Sequence, residues 1–108
     1  MAFKIALSPS YRVKVVVETL NAAGRSEKSD FHVEFKRVDM ARIAELRTMT
    51  QEEVLREVIE GFDGLVDESG TEVGFNEINL AMLLSIPAAL FALADAFWTS
   101  IYKAKEKN

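Results

Sequence analysis

The sequence predicts an α+β fold, in which an N-terminal antiparallel β-hairpin or small sheet is packed by about four helices. Within residues 11–36, apolar and polar residues alternate in two runs around a short polar loop. Helix-start signals recur between residues 39 and 87, and the chain from residue 88 to about 103 is apolar on more than one face. A length of 108 residues is typical of one domain, so we expect residues 1–108 to form a single one.

The hairpin is predicted by two runs in which every second residue is apolar. These residues are Tyr11, Val13, Val15 and Val17 before the loop and Phe31, Val33 and Phe35 after it. The loop, residues 21–27, contains Gly24, which is free to take a positive φ. Because a lone hairpin is marginal in water, we expect helices to cover its apolar face. Residues 3–7 alternate weakly before a Ser-Pro pair and predict at best a short edge strand.

Two helices are predicted after the hairpin. Asp39 can cap a helix over residues 40–47. Thr50 and Glu53 have the spacing of a capping box, in which each side chain satisfies the other residue's free backbone N–H. The helix that they open is predicted to end at Gly61. Its apolar stripe consists of Val54, Leu55, Val58 and Ile59.

The second half of the chain predicts an extended segment, a turn and two more helices. Residues 62–66 are short and apolar and are predicted to lie against the hairpin, and an acidic turn follows at residues 67–70. Asn76 is the expected cap of a third helix that runs to about residue 85. Pro87 fits the first turn of the last helix. Its basic end, formed by Lys103, Lys105 and Lys107, is expected to complement the helix dipole.

The charge is unevenly distributed along the chain. The net charge is −4, yet residues 1–48 carry +3 and residues 49–108 carry −7. An acidic surface repels phosphate backbones, so we expect no nucleic acid partner. A basic half beside an acidic half suits association with protein, including copies of the same chain, although such charge runs are more often simply solvated. Self-association of this kind would weaken as ionic strength rises.

No pattern of a catalytic, metal or cofactor site is present in the sequence. The chain has no cysteine, and its one histidine, His32, lies on the polar face of a predicted strand with no nucleophile motif nearby. Counting a calcium-binding loop from Asp63 or from Asp67 fails, because neither register places glutamate at the twelfth position. The apolar run near the C-terminus is broken by Pro87 and Asp95. We therefore expect no enzyme activity, no cofactor, no metal and no membrane insertion.

The last helix has more apolar surface than one core contact needs. One line, expected to pack inward, consists of Leu90, Ala94, Phe97 and Ile101. An adjacent line, Phe91, Trp98 and Tyr102, is predicted to be at least partly available to a partner or to a second copy. The alternative is that Trp98 belongs to the core.

Three segments, in this order, carry a resemblance to a known family. The first is a hairpin whose second strand ends in Phe-Lys-Arg at residues 35–37 and leads into a helix. The second, residues 53–70, is a helix followed by Gly-Phe-Asp-Gly-Leu-Val-Asp-Glu-Ser-Gly. The third is Phe-Asn at residues 75–76, opening a helix that ends in Leu-Leu-Ser-Ile-Pro at residues 83–87. An Ala/Leu-rich helix with Phe97 near its end follows.

In the order and spacing of these segments, the chain resembles the tail assembly chaperones of long-tailed (siphovirus-type) bacteriophages. The family's Gly-Trp-x-Gly-Val-x-Asp-Glu-x-Gly segment is present with Phe62 in place of tryptophan. Val73 and Gly74 stand where the family commonly has a proline before the Phe-Asn pair. The matching segments extend from about residue 11 to residue 102.

The resemblance implies a non-enzymatic assembly factor in the cytoplasm of the infected bacterial host. Many copies of such a chaperone coat the long helical tape measure protein, keep it soluble and help recruit tail tube subunits, and they are absent from the mature virion. The family often makes a longer form by ribosomal frameshifting, and the Lys-rich residues 103–108 are compatible with an A-rich slippery site. An apolar helix face could receive an amphipathic partner helix. The alternative function is a small adaptor or regulatory module that binds a single partner peptide.

Overall fold

The computed structural model describes residues 1–102, and these form a three-stranded antiparallel sheet with four helices. The elements are β1 (Ser10–Leu20), β2 (Ser26–Lys36), α1 (Met40–Leu46), α2 (Gln51–Val58), β3 (Ile59–Asp63), α3 (Glu77–Leu84) and α4 (Pro87–Tyr102). This is the α+β fold that the sequence predicts. The expected basic end of the last helix, Lys103, Lys105 and Lys107, lies outside the described residues.

The sheet has β2 in its centre, with β1 and β3 on its two sides. β1 and β2 pair without interruption from Ser10 opposite Lys36 to Leu20 opposite Ser26. Gly24 in the connecting turn has a φ of +79°, as expected for a position that favours glycine. β3 pairs with β2 across a register shift between Glu34 and Phe35. Among the described strands, β1 and β3 are therefore the two edges of the sheet.

Two boundaries differ from the sequence prediction. The second helix ends at Val58, not at Gly61, because Ile59 has extended dihedrals (φ −82°, ψ 120°) and pairs with Phe35 of β2. The third strand accordingly occupies Ile59–Asp63, three residues earlier than the predicted segment. Residues 1–9 form no strand, so the expectation of a short edge strand at residues 3–7 was wrong.

The core lies between the sheet and the helices. The predicted apolar faces meet there: alternate residues of β1 and β2 pack against the stripes of α1, α2 and α4. Phe35 and Phe97 are the largest fully buried side chains, and their rings pack edge to face with centroids 5.2 Å apart. From the predicted inward line of α4, Ala94 and Phe97 are buried, whereas Leu90 and Ile101 are only half-buried.

The capping box at the start of α2 is present as predicted. The Thr50 hydroxyl accepts a hydrogen bond from the backbone N–H of Glu53, and the Glu53 carboxylate accepts one from the backbone N–H of Thr50. Replacing Thr50 with alanine is expected to lower the free energy of unfolding by about 1 kcal/mol, because one N–H of the first turn loses its partner. Urea titration measures this loss. Thr50→Ser, which keeps the capping hydroxyl, is the control, and equal midpoints for the two variants would contradict the expectation.

Part of the basic half of the chain pairs with the acidic half inside the same molecule. Arg12 of β1 donates two hydrogen bonds to the Asp63 carboxylate of β3, at 3.0 and 3.1 Å. Arg42 of α1 forms an ion pair with Glu57 of α2, and it contacts Glu45 at 2.8 Å. The charge asymmetry of the sequence is therefore partly used to hold elements together within the chain.

The pair between Arg42 and Glu57 should make the fold sensitive to acid. The hydrogen bond from Arg42 lowers the pKa of Glu57 below its ordinary value of 4.5. A carboxylate with a lowered pKa adds stability above its unfolded pKa, and that stability is lost as the pH falls through the folded value. We expect Glu57→Gln to reduce the difference between urea midpoints measured at neutral pH and in acid. Glu60→Gln removes the same charge from an exposed position, and an equal effect there would argue against a specific role for the pair.

Candidate protein-binding surfaces on the last helix

The side chains of Phe91, Trp98 and Tyr102 follow one line along α4, and we call this line the aromatic ridge. At 100° per residue, the three positions fall within about 40° of one another around the helix axis. Phe91 is 65% exposed and Tyr102 is 60% exposed, whereas Trp98 is half-buried. The core side of the helix is formed by Ala89, Leu93, Ala94 and Phe97.

The C-terminal part of the aromatic ridge is fixed by contacts with other elements. The Trp98 indole N–H donates a hydrogen bond to the Gln51 side-chain oxygen at 3.0 Å. The Tyr102 ring stacks on Trp98 at 6.1 Å between centroids, with 20° between their planes. The Arg47 guanidinium lies over the Tyr102 ring and donates to its hydroxyl. These contacts hold two aromatic rings in place, which lowers the entropy that a partner must remove on binding.

Phe91 stands apart from the other two rings, seven residues before Trp98. Ile78 and Met82 lie one turn apart on α3 and are also exposed, as is Ile86 in the connection between α3 and α4. Exposed apolar residues are therefore present on both helices and at their junction. The sequence singled out Phe91 but did not indicate the α3 residues, because one helix alone does not show which face a neighbouring helix covers.

A groove of about 830 Å³ lies between β1 and the other side of α4, and we call it the edge groove. Its β1 wall includes Tyr11, Val13 and Val15, and its α4 wall includes Ala92 and Ala96. Small side chains on α4 leave this space open beside the strand. The sequence did not reveal the groove, because periodicity shows which residues face inward but not the gap between two elements.

Tyr11 and Ser100 connect the two walls of the edge groove. The two hydroxyl oxygens are 2.7 Å apart, and the Ser100 hydroxyl lies 2.6 Å from the Phe97 carbonyl oxygen. Because Ser100 has only one hydroxyl hydrogen, donation to that carbonyl leaves Tyr11 as the donor to Ser100. The Arg37 guanidinium lies 4.9 Å above the Tyr11 ring. At this end of the groove, β1 and α4 are therefore joined by a side-chain hydrogen bond.

The outer edge of β1 presents unpaired backbone groups. Two backbone hydrogen bonds flank β1: the Arg37 N–H donates to the Pro9 carbonyl, and the Asn21 N–H donates to the Arg25 carbonyl. Since Pro9 and Asn21 are both odd-numbered, the hydrogen-bonded pairs with β2 fall at the odd-numbered positions of β1. In an antiparallel ladder, bonded and non-bonded pairs alternate. The N–H and C=O groups of Arg12, Lys14 and the other even-numbered residues of β1 therefore point away from β2, toward the free edge.

Within residues 1–102, His32 and the acidic loop residue Asp67 form local contacts with neighbouring side chains and backbone groups. His32 of β2 lies beside Asp63 of β3, with 3.8 Å between Nδ1 and the carboxylate. Asp67 accepts hydrogen bonds from the hydroxyl and the N–H of Ser69 and from the N–H of Thr71, which together lower the pKa of Asp67. Among residues 1–102, no three His, Cys, Asp or Glu side chains are grouped so as to hold a metal ion.

Within the described part of the chain, no one helix is both long and apolar enough to cross a membrane. α3 and α4 meet those criteria only when they are taken together, and their axes are bent by 99° at the junction.

Comparison of the chain with protein-family models, with curated proteins and with solved structures gave no match.

Proposed function

We propose that this chain is a phage tail assembly chaperone, which coats the tape measure protein and helps recruit tail tube subunits. The order of sequence segments that resembles this family is the first support. The observation that carries the proposal furthest is the aromatic ridge, because α4 fills the core with one face and presents aromatic rings on another. Exposed aromatic rings are the side chains on which binding energy at protein interfaces concentrates.

The dimensions of the aromatic ridge suit a helical partner. Phe91 and Tyr102 are eleven positions apart, which corresponds to about 16 Å along a helix and about three turns. An amphipathic helix places apolar residues at the same spacing, so it can lie along such a ridge or in an apolar groove beside it. A long helical protein would offer many such sites in succession, and one chaperone copy could occupy each. In this role the chain acts in the cytoplasm of the infected host and is left out of the finished particle.

Co-expression with the tape measure protein tests the proposal. We expect a downstream reading frame in the same genome to encode a very long helical protein, and we expect the chain to keep that protein soluble and to co-purify with it. Phe91→Ser should reduce the amount of co-purified protein several-fold with little change in the melting temperature, because Phe91 is exposed.

Leu20→Ser is the matched control, because Leu20 is another exposed apolar residue and lies at the end of β1, beside the hairpin turn and not on α4. It should leave co-purification unchanged. If the tape measure protein stays insoluble in the presence of the chain, or if both variants bind equally, the proposal fails. Tight binding of one short peptide by a monomer, without binding to the tape measure protein, would favour the adaptor function instead.

A further inference from the structure

We infer that the N-terminal arm, residues 1–7, of one copy adds a strand to the free edge of β1 in a second copy and thereby links copies head to tail. This inference concerns self-association and goes beyond the proposed function. Binding to the tape measure protein could fail while self-association holds, and the reverse is equally possible. Three features carry the inference: the unpaired edge, the groove beside it and the exposed arm.

The edge of β1 has few of the features that normally protect an exposed strand. Eleven residues pair with β2 without a bulge, and no proline interrupts them. The charged side chains Arg12, Lys14 and Glu18 project from the outer face of the sheet, whereas the face toward the helices carries only Tyr11, Val13, Val15, Val17 and Thr19. An incoming strand would therefore find unpaired backbone groups and no charged side chain on the helix-facing side of β1. Across the groove, α4 contributes one charged residue, Asp95, and Arg37 lies at the end of the groove beside Tyr11.

The edge groove provides room for the side chains of an added strand. A strand beside β1 directs every second side chain toward the helices. In this structure that direction leads into the 830 Å³ between β1 and α4, where Ala92 and Ala96 are small and half-buried. Apolar side chains from an added strand would cover these residues and the helix-facing side of β1.

The arm has the pattern that such a strand requires. Phe3, Ile5 and Leu7 alternate with Ala2, Lys4 and Ala6, so the three large apolar side chains share one face of an extended chain. Phe3 is 78% exposed, Ile5 is 89% exposed and Leu7 is 51% exposed. Burying these exposed apolar side chains against a second copy would be favourable, because it removes apolar surface from water.

The contacts at the base of the arm favour a second copy over the arm's own edge. The Arg37 N–H donates to the Pro9 carbonyl at 2.9 Å, and Arg37 Nε donates to the Ser8 carbonyl at 2.7 Å. The chain at Ser8 and Pro9 thus continues the line of β1 beside β2, and residues 1–7 form no strand on the outer edge of β1. Leu7 reaches one end of the edge groove, and the rest of the groove is left open. The arm and the edge are different surfaces, so pairing between copies gives open chains.

Two single variants should each lose one half of the contact. Ile5→Asp places a charge on the apolar face of the arm, which should prevent the arm from binding, but it leaves the edge of β1 intact. Lys14→Pro removes an outward N–H from the edge but leaves the ladder with β2 and the arm intact, because proline is tolerated at the open side of an edge strand. The matched controls are Ala6→Asp, which places the same charge on the other face of the arm, and Lys14→Thr, which removes the charge but keeps the N–H.

Sedimentation velocity over a range of concentrations measures the outcome. The unaltered protein and both controls should form species that grow with concentration and persist in about 1 M salt, where charge contacts are screened. Ile5→Asp and Lys14→Pro should each sediment as monomers, and their mixture should form a one-to-one dimer that grows no further. A mixture that stays monomeric, or an unaltered protein that is monomeric throughout, would overturn the inference. A closed dimer at every concentration would overturn the head-to-tail arrangement.

Cross-linking provides a second measurement that does not depend on how Lys14→Pro folds. The chain has no cysteine, so single cysteines can be introduced without competition. A bismaleimide should join a chain carrying Ile5→Cys to another carrying Val13→Cys, because both positions would lie in the edge groove. If a single chain carrying both substitutions is linked only to itself, the arm occupies its own edge and the inference is wrong.

Discussion

Replacing Phe97 with alanine is expected to lower the free energy of unfolding by about 3–5 kcal/mol. Phe97 is fully buried, and its ring packs edge to face against Phe35 of the sheet at 5.2 Å and against Trp98 at 5.1 Å. The substitution removes the main aromatic contact between α4 and β2 and leaves a cavity that rigid neighbours can only partly fill. Urea unfolding followed by far-UV circular dichroism measures the loss.

Phe91→Ala makes the same chemical change six residues earlier on the same helix. Because Phe91 is 65% exposed, its truncation should alter the free energy of unfolding by no more than about 0.5 kcal/mol. Both variants lose the same side chain and change helix propensity alike, so the difference between them isolates burial. Equal losses at the two positions would mean that α4 is rotated from the orientation described above.

Trp98→Ala should have the second largest effect, a loss of about 2 kcal/mol, because Trp98 is only half-buried and a fully buried aromatic costs more. The substitution removes the stacking on Tyr102 and the hydrogen bond to Gln51. We therefore expect it to lower both the melting temperature and the binding of a partner, unlike Phe91→Ser. The structure thus gives Trp98 a packing role in addition to the partner contact that the sequence predicts.

Trp98→Phe separates the two contributions. It keeps an aromatic ring beside Tyr102 but removes the indole N–H, so the Gln51 oxygen loses its donor. We expect it to cost less than Trp98→Ala, and Gln51→Ala to cost little more than the hydrogen bond itself, about 1 kcal/mol. If Trp98→Phe is as unstable as Trp98→Ala, the hydrogen bond and not the ring is the stabilising element.

The sequence predicted the fold class because its strongest local signals agree with the tertiary contacts. Alternating residues formed the hairpin, and the caps at Asp39, Thr50 and Asn76 begin helices in the structure. The end of α2 was missed because Ile59 fits an apolar helical stripe and a strand equally well. Its pairing with Phe35, distant in sequence, decides the outcome, and no local pattern contains that information.

The candidate surfaces could be predicted only in part. The spacing of Phe91, Trp98 and Tyr102 identified the aromatic ridge, since a single helix face can be calculated from periodicity. The hydrogen bond from Trp98 to Gln51 and the edge groove depend on how α4 is placed against α2 and β1. Such placement follows from the packing of the whole chain. The arm at residues 1–7 has a weak alternating pattern, and only the structure shows that its large apolar side chains are exposed to solvent.

The direct connection between α2 and β3 has a consequence for how the molecule opens. Val58 is the last residue of the helix and Ile59 is the first of the strand, so no loop separates them. Both residues are buried, and the Ile59 N–H still donates to the Leu55 carbonyl while Ile59 itself lies opposite Phe35 of β2. The last turn of α2 therefore cannot unwind without disturbing the pairing between β3 and β2. Amide hydrogens on both sides of this junction should exchange with solvent at matching rates, as one cooperative unit that spans two kinds of secondary structure.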